Sequence, residues 1–231
     1  MVIPIAILNN SPSVDDIRDR LVAVPAATRS GGVPARGWAR LAMVLQGLHR
    51  TAQAIIVVDM SDGGNLAIDW GRKDYWWNGA PAVFPADPTI ASIRMLRGDG
   101  AQLPFLRESP LPLEPLLWNI GIAAFPSTQA WWFSDGGRYR ATRWPNYTVL
   151  EHDPDQVRMT ALLGSAALTP TELALAANVE PSAAQRLLNA LGLLGLVREL
   201  PVGETDVSVR PVDVPTQRKG LFSRLRARLG V

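Results

Sequence analysis

Cysteine is absent from the 231-residue chain, and histidine occurs twice, as His49 and His152. The first absence removes disulfides, thiolate metal sites and a cysteine nucleophile. It also removes the disulfide-rich secreted class, without choosing a compartment. Neither histidine has a partner at metal-ligand spacing. His49 closes a helix-like stretch where a cation suits the dipole, and His152 precedes another. Long apolar runs are missing too: "LLNALGLLGLV" falls well short of the ~20 residues a membrane span needs. "MVIPIAILNN" has no basic n-region and no small-residue cleavage site, so it reads as a buried first strand rather than a signal peptide. A cytoplasmic protein is expected.

Charge of one sign is also scarce. Lys and Arg number 23 against 21 acids, a net +2, so the isoelectric point of 9.4 rests on a small excess. No Walker or dinucleotide fingerprint occurs. "SGGVPARGWAR" places glycines ahead of a helix but lacks the lysine and hydroxyl of a phosphate loop. Gly164-Ser165 lacks the second glycine of a nucleophile elbow. Asp59, Asp62 and Asp69 fall along one hairpin and suit turns and strand ends. With no paired catalytic roles to assemble, the expectation is a non-enzymatic protein without cofactor or metal.

What is present is a foldable chain, 47% apolar and 19% charged, long enough for one large domain or two smaller ones. Residues 1–150 read as an α/β or α+β domain with hairpin-linked strands. "VIPIAIL" is expected as a strand. "SPSVDDIRDRLVAV" is expected as a helix capped at Ser13, with Ile17, Leu21 and Val24 on one stripe. "PARGWARLAMVLQGLHR" carries Trp38, Leu41, Val44, Leu45 and Leu48 at helical spacing. "QAIIVVDM", "NLAIDW" and "DYWW" read as successive strands. Segment 81–126 holds eight prolines. It is expected to be an ordered loop wrapping the sheet, because alternate prolines oppose both helix and central strand.

Ser-Asp-Gly-Gly occurs twice, at Ser61–Gly64 and Ser134–Gly137. Asp-Gly and Gly-Gly supply the positive φ that tight hairpins need. The sequence therefore predicts two independent hairpins, the second joining "AWWFSDGG" to "RYRATRW" with Trp131 and Phe133 on one face. Eight tryptophans are many for this length. The doublets Trp76-Trp77 and Trp131-Trp132 would put one ring on each sheet face, which makes Trp77 and Trp132 candidates for a partner interface.

From residue 151 the pattern changes. "LTPTELALAANVEPSAAQRLLNALGLLGLV" carries a capping signature at Thr169, Pro170 and Glu172. A second helix starts at Glu180-Pro181-Ser182, with Ala184, Leu187, Leu188 and Leu191 inward. "GLVREL" then leaves as a strand, and "PVGETDVSV" is a possible wing. This stretch, residues 151–211, resembles the winged helix-turn-helix superfamily in the style of IclR- and MarR-like regulators. The resemblance implies a recognition helix over about 181–194, with Gln185, Arg186 and Asn189 among its outward residues. It argues for fold more than for function. The region carries four arginines against eight carboxylates, a poor match to DNA phosphates. Protein–protein interaction is therefore the expected use of the module, with a homodimer possible. A DNA-binding regulator with an N-terminal sensor domain is the alternative.

Residues 212–231 read as a linker and a basic amphipathic tail. Leu221, Phe222, Leu225 and Leu229 share an arc, with Arg224, Arg226 and Arg228 outside it. Such a segment can contact an anionic membrane or dock in a partner groove. Taken together, the sequence predicts a cytoplasmic adaptor or regulatory protein.

Overall fold

The computed structural model describes residues 37–48, 53–78, 85, 88–96 and 109–200, together with the backbone of 21–23. The expected first strand, most of the first helix, the wing and the tail with Leu221, Phe222, Arg224, Leu225, Arg226 and Arg228 lie outside the described residues. The fold is mixed α and β, with five helices and two antiparallel sheets among the described residues. No described helix is long and apolar enough to cross a membrane.

The larger sheet has six strands: β1 (Leu21–Ala23), β2 (Ile55–Met60), β3 (Asn65–Asp69), β4 (Asp74–Trp77), β5 (Ile90–Leu96) and β6 (Leu111–Pro112), in the order β1-β5-β2-β3-β4-β6. The expected meander of "QAIIVVDM", "NLAIDW" and "DYWW" is β2, β3 and β4. Its register pairs Val58 with Leu66 and Leu66 with Trp77. The first Ser-Asp-Gly-Gly makes the β2–β3 turn: Gly63 sits at φ +88, and the Gly64 N–H donates to Asp62 Oδ1 at 3.0 Å. Leu21–Ala23, expected as the end of a helix, is instead a strand paired with β5. An apolar Leu-Val-Ala run shows no alternation, so period alone does not separate the two states.

Alternation then divides the sheet. Ile56, Val58, Met60, Leu66, Ile68, Tyr75, Trp77 and Ile93 belong to one core with helices α1 (Gly37–Gly47) and α2 (Leu113–Ala124). α1 supplies Trp38, Leu41, Ala42 and Leu45 to it. α2 corrects the expectation of a wrapping loop. Its stripe Leu113, Leu116, Leu117, Ile120 and Ala124 has helical spacing. Pro112 is the N-cap and Pro115 falls in the first turn, where a backbone N–H has no helical partner to lose. Prolines so placed start a helix instead of breaking one.

The opposite side of α2 serves a second core. Trp118 joins Tyr139, Leu150, Met159, Leu163, Leu173, Leu187, Leu188 and Leu191 there. That core is built by α3 (Pro154–Ser165), α4 (Pro170–Ala177), α5 (Pro181–Leu193) and the antiparallel pair β7 (Arg138–Ala141) and β8 (Val197–Leu200). The capping signature at Thr169 is a reciprocal box: the Glu172 N–H donates to Thr169 Oγ1 at 3.2 Å, and the Thr169 N–H to Glu172 Oε2 at 2.9 Å. Asp153 and Gln156 do the same for α3. Asn178, at φ 52, ends α4.

The second Ser-Asp-Gly-Gly is not a hairpin, which corrects that expectation. Residues 131–133 form a turn, and "RYRA" pairs with Val197–Leu200 rather than with "AWWF". Gly137 passes so close to Tyr139 and Glu199 that a Cβ would lie 2.3 Å from the Tyr139 hydroxyl. Local turn chemistry is the same in both copies; the partner strand is decided by the second core.

The two cores meet where α2 crosses α5. A Cβ on Gly121 would lie 2.4 Å from Ala190 Cα, whereas one on Gly47 would meet nothing within 4 Å. Gly121→Ala should therefore lower stability by about 1–3 kcal/mol, read from the urea midpoint, while Gly47→Ala should be neutral or slightly stabilising. A second outcome concerns acid. The Glu172 carboxyl is held below its ordinary value, first by the Thr169 backbone N–H and then by Arg138. Its folded form binds the proton less tightly than the unfolded form, so its contribution is complete above the ordinary glutamate range and fades as pH falls below it. Glu172→Gln should weaken the fold at pH 7 by a few tenths to about 1 kcal/mol. The gap between variant and wild type should narrow in acid, as measured by denaturant melts across pH.

Candidate functional site

The resemblance placed Gln185, Arg186 and Asn189 on an outward face of α5. The structure turns that face onto the chain that follows α2. Asn189 is fully buried. Its Oδ1 accepts the Ala130 N–H at 3.0 Å and Gln185 Nε2 at 3.1 Å. Its Nδ2 donates to the Thr128 carbonyl at 3.0 Å and the Phe125 carbonyl at 3.4 Å. All four hydrogen-bonding positions of the amide are used. Arg186 Nη1 reaches the Pro126 carbonyl at 3.3 Å and Ser182 Oγ at 3.5 Å. Asn189 is thus an internal latch, not an outward reader, and Gln185 and Arg186 support it. Helical spacing identified the residues, but only the packing of α5 on α2 decides which face is inside.

The tryptophan candidates separate as well. Trp77 is 8% exposed and lies in the core with the helices, rather than at an interface. Trp132 is half-buried, edge-on to Phe125 at 5.5 Å and to Trp131 at 6.0 Å. Its indole N–H is buried without an acceptor among the described residues. Trp131 is the ring of that doublet that faces water, at 40% exposure. Residues 131–133 form a turn, and a turn does not alternate faces as a strand does.

The described residues also assemble a groove that the sequence did not announce. It lies between α2 and the start of α3, lined by Trp118, Asn119 and Ile122 on one side and Glu151, His152, Asp153 and Gln156 on the other, with a volume of about 340 Å³. Trp118 Nε1 donates to the Glu151 carbonyl at 2.7 Å, tying the two walls together. Tyr147 stands behind the groove, its ring 4.6 Å from His152 and 5.9 Å from Trp118. Its hydroxyl lies 2.6 Å from the Thr160 hydroxyl. Burial pushes that hydroxyl's pKa up, and the Thr160 hydrogen bond opposes the shift. Trp144 extends the aromatic strip outward, 6.4 Å from Tyr147 and 54% exposed. The one legible signal was the mixture of aromatics and acids in "WPNYTVLEHDPD".

Three other polar side chains of this half hold backbone. Arg138 donates to the Ala167 carbonyl at 2.9 and 3.2 Å, and Arg158 to the Ala177 carbonyl at 2.7 and 3.0 Å. Tyr139 donates to the Ser134 carbonyl at 2.8 Å. Burial, with the Glu199 carboxylate next, pushes its hydroxyl up to about 12, so it remains a neutral donor across the ordinary pH range. Among the described residues no group of three or more His, Asp or Glu could hold a metal ion.

Compared with known proteins, the chain matches no family model, no curated protein and no solved structure.

Asn189→Ala should leave the buried Ala130 N–H without its partner and remove a donor from the part-buried Thr128 and Phe125 carbonyls, at a cost of about 1–3 kcal/mol. Arg186→Ala, at the rim, should cost under about 1 kcal/mol. Equal losses for the two in thermal or denaturant melts would remove the latch.

Proposed function

We propose that the chain is a non-enzymatic adaptor that uses a winged-helix-type unit for protein–protein interaction rather than for DNA reading. The order α3, α4, α5, β8 follows the resemblance noted in the sequence. The backbone bridge between Leu168 and Tyr139 is in keeping with it. One difference matters: the strand beside β8 is β7, which precedes the three helices.

The observation that carries the reading is the orientation of α5. Direct readout needs side chains that reach base edges, and Asn189 and Arg186 are committed to the carbonyls of 125–128. The acidic balance of the region argues the same way, because phosphate contacts supply most of the affinity for duplex DNA. The arginines Arg138 and Arg158 hold carbonyl groups of their own fold, which favours a scaffold over an enzyme. Large apolar side chains facing water, Leu175 at 84% exposure and Trp131 at 40%, give such an adaptor surface to work with. A second copy of the chain is an eligible partner, and the cytoplasm is the setting this reading assumes.

Fluorescence anisotropy with random duplex DNA over a salt series tests it, using the full chain and residues 1–211. The expected result is no binding by 1–211 even at low salt, and no effect of Arg186→Ala on whatever the full chain binds through its tail. Tight binding by 1–211 that falls steeply with salt and weakens in Arg186→Ala would overturn the adaptor in favour of the DNA-binding regulator.

A further inference from the structure

The groove between α2 and the start of α3 has about 340 Å³ of space, at the small end of the ~300–1,000 Å³ that ligand sites enclose. Its fixed charge is of one sign: Glu151 and Asp153 line it, and no Lys or Arg does among the described residues. Its free hydrogen-bonding groups are mostly of one kind as well. A carbonyl only accepts, so the 2.8 Å contact between His152 Nδ1 and the Leu150 carbonyl places the ring proton on Nδ1. The neutral ring then keeps Nε2 as an acceptor. Asp153 Oδ1 takes the Gln156 N–H at 2.8 Å and leaves Oδ2 uncommitted among the described residues. The Glu151 carboxylate and the Asn119 amide, on opposite walls, have no side-chain partner among the described residues. Acceptors therefore exceed donors along the groove.

Such a lining suits a cation that carries several donors in one plane. A guanidinium presents five N–H donors, and it is more weakly hydrated than a compact ammonium, so it gives up water at an apolar wall more readily. That wall is present. Ile122 is half-buried, and the N–H of Trp118 is already spent on the Glu151 carbonyl at 2.7 Å. Tyr147 backs the His152 ring at 4.6 Å and so steadies it. An anion would meet two carboxylates here.

We propose that this groove binds a guanidinium group on a short aliphatic stem, as in a small alkylguanidine or an arginine side chain. The guanidinium sits between the carboxylates of Glu151 and Asp153 and the Asn119 amide, and its stem lies along Ile122 and Trp118. The inference stands apart from the adaptor reading: a sensor would use the same groove for a free cation, an adaptor for a partner's arginine.

Nuclear magnetic resonance of the full-length, nitrogen-15-labelled protein in low-salt buffer tests it. Butylguanidinium should shift the Asn119 side-chain amide and the backbone amides of Glu151 and Gln156 saturably. Butylurea, the same shape without the charge, should bind about tenfold more weakly. Glu151→Gln should weaken butylguanidinium several-fold, and the fold is not at stake because that carboxylate holds nothing within it. Glu180→Gln, which alters an exposed carboxylate at the start of α5, should change nothing. N-acetylarginine N-methylamide separates the sources: tighter binding than butylguanidinium assigns the group to a peptide's arginine, and equal or weaker binding to a free cation. No saturable shift with either cation would overturn the proposal. So would equal affinity for butylurea, or equal losses in the Glu151 and Glu180 variants.

Discussion

Two helices touch through their backbones, and much of the described structure follows from that contact. Gly121 on α2 and Ala190 on α5 come so near that no side chain larger than hydrogen fits at the first position. At this spacing neither helix can slide or rotate without collision. α2 is therefore fixed with Leu116, Leu117 and Ile120 toward the sheet and Trp118 toward the second core. α5 is fixed with Leu187, Leu188 and Leu191 in that core and Leu193 in the first. One crossing thus sets both hydrophobic layers. The amide of Asn189 then closes the edge of the crossing by bonding the backbone at Phe125, Thr128 and Ala130, of which the Ala130 N–H is buried.

The same crossing decides what α5 can do. A helix of this pattern has one apolar stripe and one polar stripe, and isolated from its neighbours the polar stripe would be its working face. Here α2 takes part of that face. The side chains that sequence pattern alone would assign to an outside ligand hold carbonyls of their own chain. The open surface includes the chain leading into α3, where Trp144, Val149 and Glu151 stay exposed.

Features governed by near neighbours were legible in the sequence. The β2–β3–β4 meander follows from β-branched runs and an Asp-Gly turn, α1 from its Trp38–Leu45 stripe, and the α4 cap from Thr169 and Glu172. Features governed by distant partners were not. Pro115 reads as a breaker until its place in the first turn of α2 is known. Gly136 makes a turn of the right chemistry, yet β7 pairs with a strand that lies beyond three helices. Leu21–Ala23 carries no period to choose between helix and edge strand. The groove joins residues 118–122 to 151–156, two stretches with no shared motif, so only the fold brings them together.

The β7–β8 ribbon has a consequence in time as well as space. Arg138–Ala141 meets Val197–Leu200 only after α3, α4 and α5 have all been made. A chain emerging from the ribosome must carry Tyr139, a fully buried core residue, uncovered through the synthesis of the whole helical segment. Its backbone N–H and carbonyl can bond to Leu168 early, which gives the nascent strand a provisional partner. The other edge waits for the last strand. The ribbon's second edge is thus the last contact to become available, a long-range pairing that follows the helices between its strands.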